Sequence, residues 1–117
     1  MINLMVEAAP ERLDAVFQAL SDPTRRLMLQ RLSEGPCSIT ELAKPFRMSF
    51  AGASKHVKAL ETAGLVQRTV KGRTHLCRLS PEPLADAHDW LRFYKRFWNQ
   101  RLGAFESLFR EQEVDRS

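Results

Sequence analysis

Apolar positions recur along this chain in two rhythms, one helical and one alternating. Leu13, Val16, Phe17 and Leu20 follow the i, i+3, i+4, i+7 spacing of one helix face, which predicts a first helix over residues 11–20. Asp22 then offers a carboxylate to a new helix start, and Pro23 suits the first helical position, where a missing N–H costs nothing. Met28, Leu29 and Leu32 give that second helix an inner face, and Gly35-Pro36 stops it. Ser38 and Glu41 have capping-box spacing, each side chain placed to satisfy the other's backbone N–H at the head of a short third helix. Ile39 and Leu42 turn inward, and Pro45 ends or distorts this helix early. Ser49 caps a fourth helix with Ala53, Val57 and Leu60 on one side, Ala51, Ser54, Lys55, Lys58 and Thr62 on the other, and His56 at the boundary. Gly64 is its expected C-terminal cap.

Beyond Gly64 the rhythm changes. LVQRTV and RTHLCRL read as two strands turning at Lys71-Gly72. From Pro81 the helical rhythm returns, with Leu84, Leu91, Trp98 and Phe105 seven residues apart and Ala87, Tyr94, Leu102 and Leu108 widening the stripe. A second set, Trp90, Phe93, Phe97 and Ala104, lies beside it. One helix over residues 81–113, bent near Gly103, is expected. So much apolar surface on one terminal helix suits a face for the chain's own domain and a face for a second copy. The 117 residues divide into a loose N-terminus (1–10), one domain (11–113) and a tail (114–117).

Charge changes the picture more than composition does. From Lys44 to Arg78 there are eight basic residues and one acid, Glu61, so this segment carries +7 and the remainder −3 within a net charge of +4. A positive middle on a mildly negative remainder marks a footprint for a polyanion. No apolar run approaches the length of a membrane span, and residues 1–10 lack the basic flank and apolar stretch of a secretory signal, so a cytoplasmic protein without a membrane partner is expected. Two cysteines, Cys37 and Cys77, are too few for a disulfide framework, and nothing in their spacing places them together.

Three helices, a short turn before the fourth, and a basic hairpin make a winged helix-turn-helix, mainly α with a small β-hairpin between the fourth and last helices. A B-DNA major groove admits one α-helix, and short outward side chains let the fourth helix approach it closely. Ser49, Ala51, Ser54 and Lys55 then face base edges, with Phe50 either against thymine methyls or turned inward, and His56 at the margin. Lys58, Arg68, Lys71 and Arg73 are placed at phosphates, which supply salt-sensitive affinity without reading sequence. Ser54 and His56 do not form a hydrolase pair, since residues two apart on a helix face different directions and no third group or oxyanion loop accompanies them; no enzyme is expected.

SDPTRRLML, ITELAKPFRMSFAGASKHVKALETAGLV, KGRTHLCRLSPEPL and WLRFYKRFW, in this order, resemble the ArsR-type winged-helix transcriptional repressors over residues 11–113. The pattern S-x-x-x-x-S-K-H-V-K-x-L-x-x-A-G-L-V at 49–66 is the most specific part. The resemblance implies a homodimeric bacterial or archaeal repressor on a short inverted repeat of double-stranded DNA. It implies a dimer interface on the first and last helices, here Leu13, Val16, Phe17, Leu91, Tyr94, Trp98 and Phe105. Many members have glutamine where Phe50 stands, so an unusual operator is expected. The E-L-C-x-C thiolate pair of many metal-sensing members is absent. Of a second family metal site, only Asp86-Ala87-His88 is present, its other half falling at Asn99 and Leu102, so neither a metal nor another cofactor is expected. Release by an unidentified small-molecule inducer and simple autorepression both suit this reading. The rivals are a winged-helix protein-interaction module without DNA binding and a metal- or thiol-responsive repressor.

Overall fold

Short polar side chains set the starts of three helices. In the computed structural model, which describes the backbone of residues 2–116 and the side chains of 11–104, 106 and 108, Asp22 Oδ2 accepts from the Arg25 N–H at 3.0 Å. Ser38 Oγ accepts from the Glu41 N–H at 3.1 Å, and Ser49 Oγ from the Gly52 N–H at 3.1 Å. These caps open helices α2 (Pro23–Leu32), α3 (Ile39–Ala43) and α4 (Phe50–Thr62). The capping box at Ser38 is half formed: the Glu41 carboxylate takes the Ser38 hydroxyl at 3.1 Å rather than its backbone N–H. Helix α1 (Ile2–Leu20) precedes them, starting nine residues before the position that periodicity marks. Its last carbonyls are capped from α2, where Arg25 donates to Ala19 and Gln18 and Arg26 donates to Leu20.

Pro45 acts as expected. The α-helix ends at Ala43, a 3₁₀ turn covers Lys44–Phe46, and Arg47 takes a left-handed φ of 53° before Ser49. At the far end of α4 a Schellman closure forms, with Leu65 N–H donating to Leu60 O and Gly64 N–H to Glu61 O, both at 2.9 Å. Gly64 holds φ +77°, the conformation that glycine adopts without a Cβ penalty.

Strands β2 (Val66–Lys71) and β3 (Thr74–Leu79) form the expected hairpin around Gly72. The sheet nevertheless has three strands in the order β1-β3-β2, because Cys37–Ser38 pairs as β1 with β3. The α1–α4 faces and the sheet meet in one core of Val16, Ala19, Met28, Leu32, Ile39, Leu42, Ala53, Val57, Leu60 and Leu65, joined by both cysteines and Ala87.

The chain divides into two compact units, Met1–Ala87 and His88–Ser117. The long terminal helix expected from the heptad spacing is two helices, α5 (Glu82–Arg92) and α6 (Lys95–Arg116). The break falls at Phe93–Tyr94, whose N–H groups bond three residues back to Trp90 and Leu91, and not at Gly103, which α6 passes through. A lone glycine weakens a helix by only about 1 kcal/mol and leaves its hydrogen-bond ladder whole. At the break, by contrast, Trp90 and Phe93 pack their rings against Tyr94, with centroids 5.2 and 5.0 Å away.

The Asp22 cap carries a pH signature. The Arg25 N–H holds its carboxyl below the ordinary aspartate range, with His56 and Arg25 charges adding to the effect. A depressed folded value means stability that is present above the unfolded pKa and is lost as pH falls through the folded one. Asp22→Ala is therefore expected to cost about 1 kcal/mol near pH 7, with the gap to wild type closing as the pH is lowered through the carboxylate range. Asp22→Asn, which keeps a cap without a titrating group, flattens that part of the profile in urea melts.

Candidate DNA-binding surface

Helix α4 presents the residues expected of a groove-reading helix. Its inward stripe, Ala53, Val57 and Leu60, is fully buried, which turns Ala51, Lys55 and Lys58 to solvent and leaves Ser54 half-buried beside them. Ser49 is exposed at the helix start, and one lone pair of its hydroxyl is committed to Gly52. Its proton and second lone pair stay available for a base or phosphate. The hairpin tip carries Lys71 and Arg73, both exposed, so four cations on two elements of the first unit face water. None of Lys55, Lys58, Lys71 and Arg73 has an acid within salt-bridge distance among the described residues.

Two expected DNA contacts are engaged within the fold. Arg68 is not a free phosphate ligand: its side chain is only 16% exposed, and its Nη2 donates to Glu61 Oε1 at 2.5 Å. Its Nη1 lies 3.3 Å from His75 Nδ1. The single acid of the basic segment thus neutralises one of its cations. His56 leans toward the cap of α2, its Nδ1 3.8 Å from Asp22 Oδ2, and is half-buried there. Phe50 has not turned inward. It is 46% exposed and meets the His75 ring edge-on at 5.6 Å. Sequence reasoning missed His75 and the structural role of Glu61; the lone acid in a +7 segment was the only signal of either.

The residues expected at a dimer interface separate. Val16 is fully buried and Leu13 packs on the same core, so Val16 belongs to the inside of its own unit and not to an outward face, because the stripe on α1 that starts at Leu13 is the one that closes over α2 and α4. Phe17 keeps an exposed edge on α1. In the second unit Leu91, Tyr94 and Trp98 are exposed together with Trp90, Phe93, Phe97, Leu102 and Leu108. The side chain of Phe105 lies outside the described residues. Asp86 is paired with Arg12 of α1 at 2.5 Å, and His88 has Asp89 3.7 Å away. Among the described residues, no three His, Cys, Asp or Glu side chains are grouped as metal ligands.

Cys37 and Cys77 are brought together where their spacing gave no hint of it. They are register partners across β1 and β3, both buried and both free thiols. Burial pushes the Cys77 thiol up to about 11 despite the nearby Arg68 charge, with Glu61 and Cys37 adding to the rise. Burial likewise raises Cys37, against a lowering by Arg31. Thiolate is the reactive form, so neither is poised for fast oxidation. In the folded protein at pH 8, a chromogenic disulfide reagent is expected to titrate both thiols only as fast as the domain opens, and immediately in denaturant. Rapid labelling of the native protein would contradict the burial.

Comparisons with known proteins agree with the winged helix-turn-helix fold. A protein-family model described as a helix-turn-helix domain matches residues 20–69, which run from the end of α1 into β2. The chain is 35% identical over 102 residues to the HTH-type transcriptional regulator Rv2034 of Mycobacterium tuberculosis, covering 87% of this chain and 92% of that one. It is 33% identical over 76 residues to the transcriptional repressor SdpR of Bacillus subtilis, covering 65% and 84%. Among solved structures, the ArsR family transcriptional regulator RHA00566 superposes with a TM-score of 0.72 at 42% identity, over 77% of this chain and 93% of that one. An ArsR-like regulator from Rhodococcus sp. RHA1 gives 0.65 at 31%, over 86% and 95%. With its helix-turn-helix and basic wing in the same order, the chain belongs to the ArsR-type winged helix-turn-helix transcriptional regulators.

Proposed function

We propose that this chain is a sequence-specific repressor that binds an inverted-repeat DNA operator as a homodimer. One observation carries the reading: the exposed face of α4 combines short side chains with Lys55 and Lys58, and the wing tip adds Lys71 and Arg73, all without acidic partners among the described residues. Short side chains let the helix backbone approach base edges, which Lys55 can reach, while Lys58, Lys71 and Arg73 replace phosphate counterions. The similarity to the transcriptional repressor SdpR supports repression as the outcome. The exposed aromatic surface of α5 and α6 supports pairing of two copies, as does the homodimeric winged helix-turn-helix domain Mb0332 from Mycobacterium bovis, which shares the fold at 23% identity. Two recognition helices on one face of B-DNA read half-sites one turn apart, about 34 Å. No described helix is long and apolar enough to cross a membrane.

Titration of a fluorescent duplex from the chain's own upstream region, against a scrambled duplex, tests this. Preference for the upstream DNA and a steep fall of affinity with salt are expected. Equal binding to both duplexes, or a flat salt response, rejects it.

A further inference from the structure

We infer that Glu61, Arg68 and His75 form a clasp that sets the angle of the wing against the recognition helix and holds Phe50 toward the groove, so that Arg68 is a positioning residue and Phe50 a specificity-determining one. The inference rests on the DNA-binding reading above. Phe50 is the first residue of α4 and Glu61 lies in its last turn, eleven residues on, or about 16 Å along the axis at 1.5 Å per residue. The wing holds both places: Arg68 on β2 grips Glu61 at 2.5 Å, and His75 on β3 meets the Phe50 ring at 5.6 Å. Arg68 and His75 lie 3.3 Å apart, which joins the two grips. A strand pair held at one point can swing freely on a helix, and a second point restricts that swing to the line joining the two.

The chemistry fixes the direction of the central contact. A guanidinium only donates, so His75 Nδ1 is the acceptor and its ring proton sits on Nε2. Arg68 is planar and forked, so it serves Glu61 and His75 at once, and a lysine ammonium on a single stem does not reproduce that fork. Arg68 Nε is buried without a hydrogen-bond partner among the described residues, a cost consistent with the head group being held where its two terminal nitrogens are useful. The residue thus gains its charge partner inside the fold and not on the duplex.

Three variants of the full chain separate this role from a plain phosphate contact: Glu61→Gln, Arg68→Lys and His75→Ala, each with a thermal melt to confirm folding. Loss of one charged hydrogen bond in the clasp is expected to weaken operator binding about tenfold, with binding to scrambled DNA and the salt slope unchanged. Glu61→Gln is decisive, since it removes an acid near the duplex and simple electrostatics would tighten binding to both DNAs. Tightening by Glu61→Gln, or an unaltered operator preference in Arg68→Lys, overturns the clasp. An operator preference absent in the wild type rejects the DNA-binding reading itself. A DNA-free measurement stands apart from that failure: imidazole nitrogen resonances of the free protein should show His75 as the Nε2–H tautomer in wild type and as mixed tautomers in Arg68→Lys, and a mixture in the wild type overturns the clasp.

Discussion

Lys55→Glu combined with Lys58→Glu is expected to abolish operator binding, lowering affinity by at least about 100-fold while leaving the melting temperature unchanged. Both side chains are exposed on the outer face of α4 and neither has an acidic partner among the described residues, so the domain does not need them. Each reversal removes one cation and sets an anion facing the duplex, Lys55 at a base edge and Lys58 at a phosphate; losing the base contact alone costs about 1–3 kcal/mol, and the phosphate reversal adds to it. The slope of log affinity against log salt should also become shallower by about 0.9 for each phosphate that is no longer neutralised. A protein-interaction module would keep its partner through the same change unless that interface were charged. Retained operator affinity at physiological salt would show that DNA does not meet this face.

Leu60→Ala is expected to have the largest effect on stability. Leu60 is fully buried where α4 packs among α1, α2 and α3, and its carbonyl accepts the Leu65 N–H that closes the helix. Truncating a buried leucine loses transfer free energy and leaves a cavity, typically about 2–5 kcal/mol. For a unit of 87 residues this corresponds to a melting temperature lower by roughly 10–20 °C or more. Urea and thermal melts measure it directly. A shift below about 1 kcal/mol would mean that the core around α4 collapses to fill the space. The two variants form a contrast: one silences the surface without touching the core, and the other loosens the core without touching the surface.

The helix-turn-helix was legible residue by residue because its signals are local. Asp22, Ser38 and Ser49 cap the helices expected of them, Pro45 shortens the third, and Gly64 closes the fourth. Each acts on backbone groups within a few residues of itself, so the spacing along the chain already contains the geometry. The outward face of α4 was legible for the same reason: once Ala53, Val57 and Leu60 face in, the helical period assigns Ala51, Lys55 and Lys58 to the other side.

Relations between distant residues were decided only by the tertiary structure. Strand β1 is two residues long and has no period to detect, so its pairing, and with it the juxtaposition of Cys37 and Cys77, emerges only when β3 is beside it. Charge patterning placed Arg68 and Lys71 in one basic segment, yet the fold half-buries the first against Glu61 and leaves the second at the wing tip. Periodicity likewise could not tell Val16, closed inside its own unit, from Phe17, which keeps an exposed edge. Sequence alone therefore determined where the capped helices α2, α3 and α4 begin and which of their faces are apolar, because caps and periods act over one or two turns. Which cations remain open to a duplex, and which rings remain exposed to a partner, depends on side chains far apart in the chain meeting in space, and that is a property of the packed core alone.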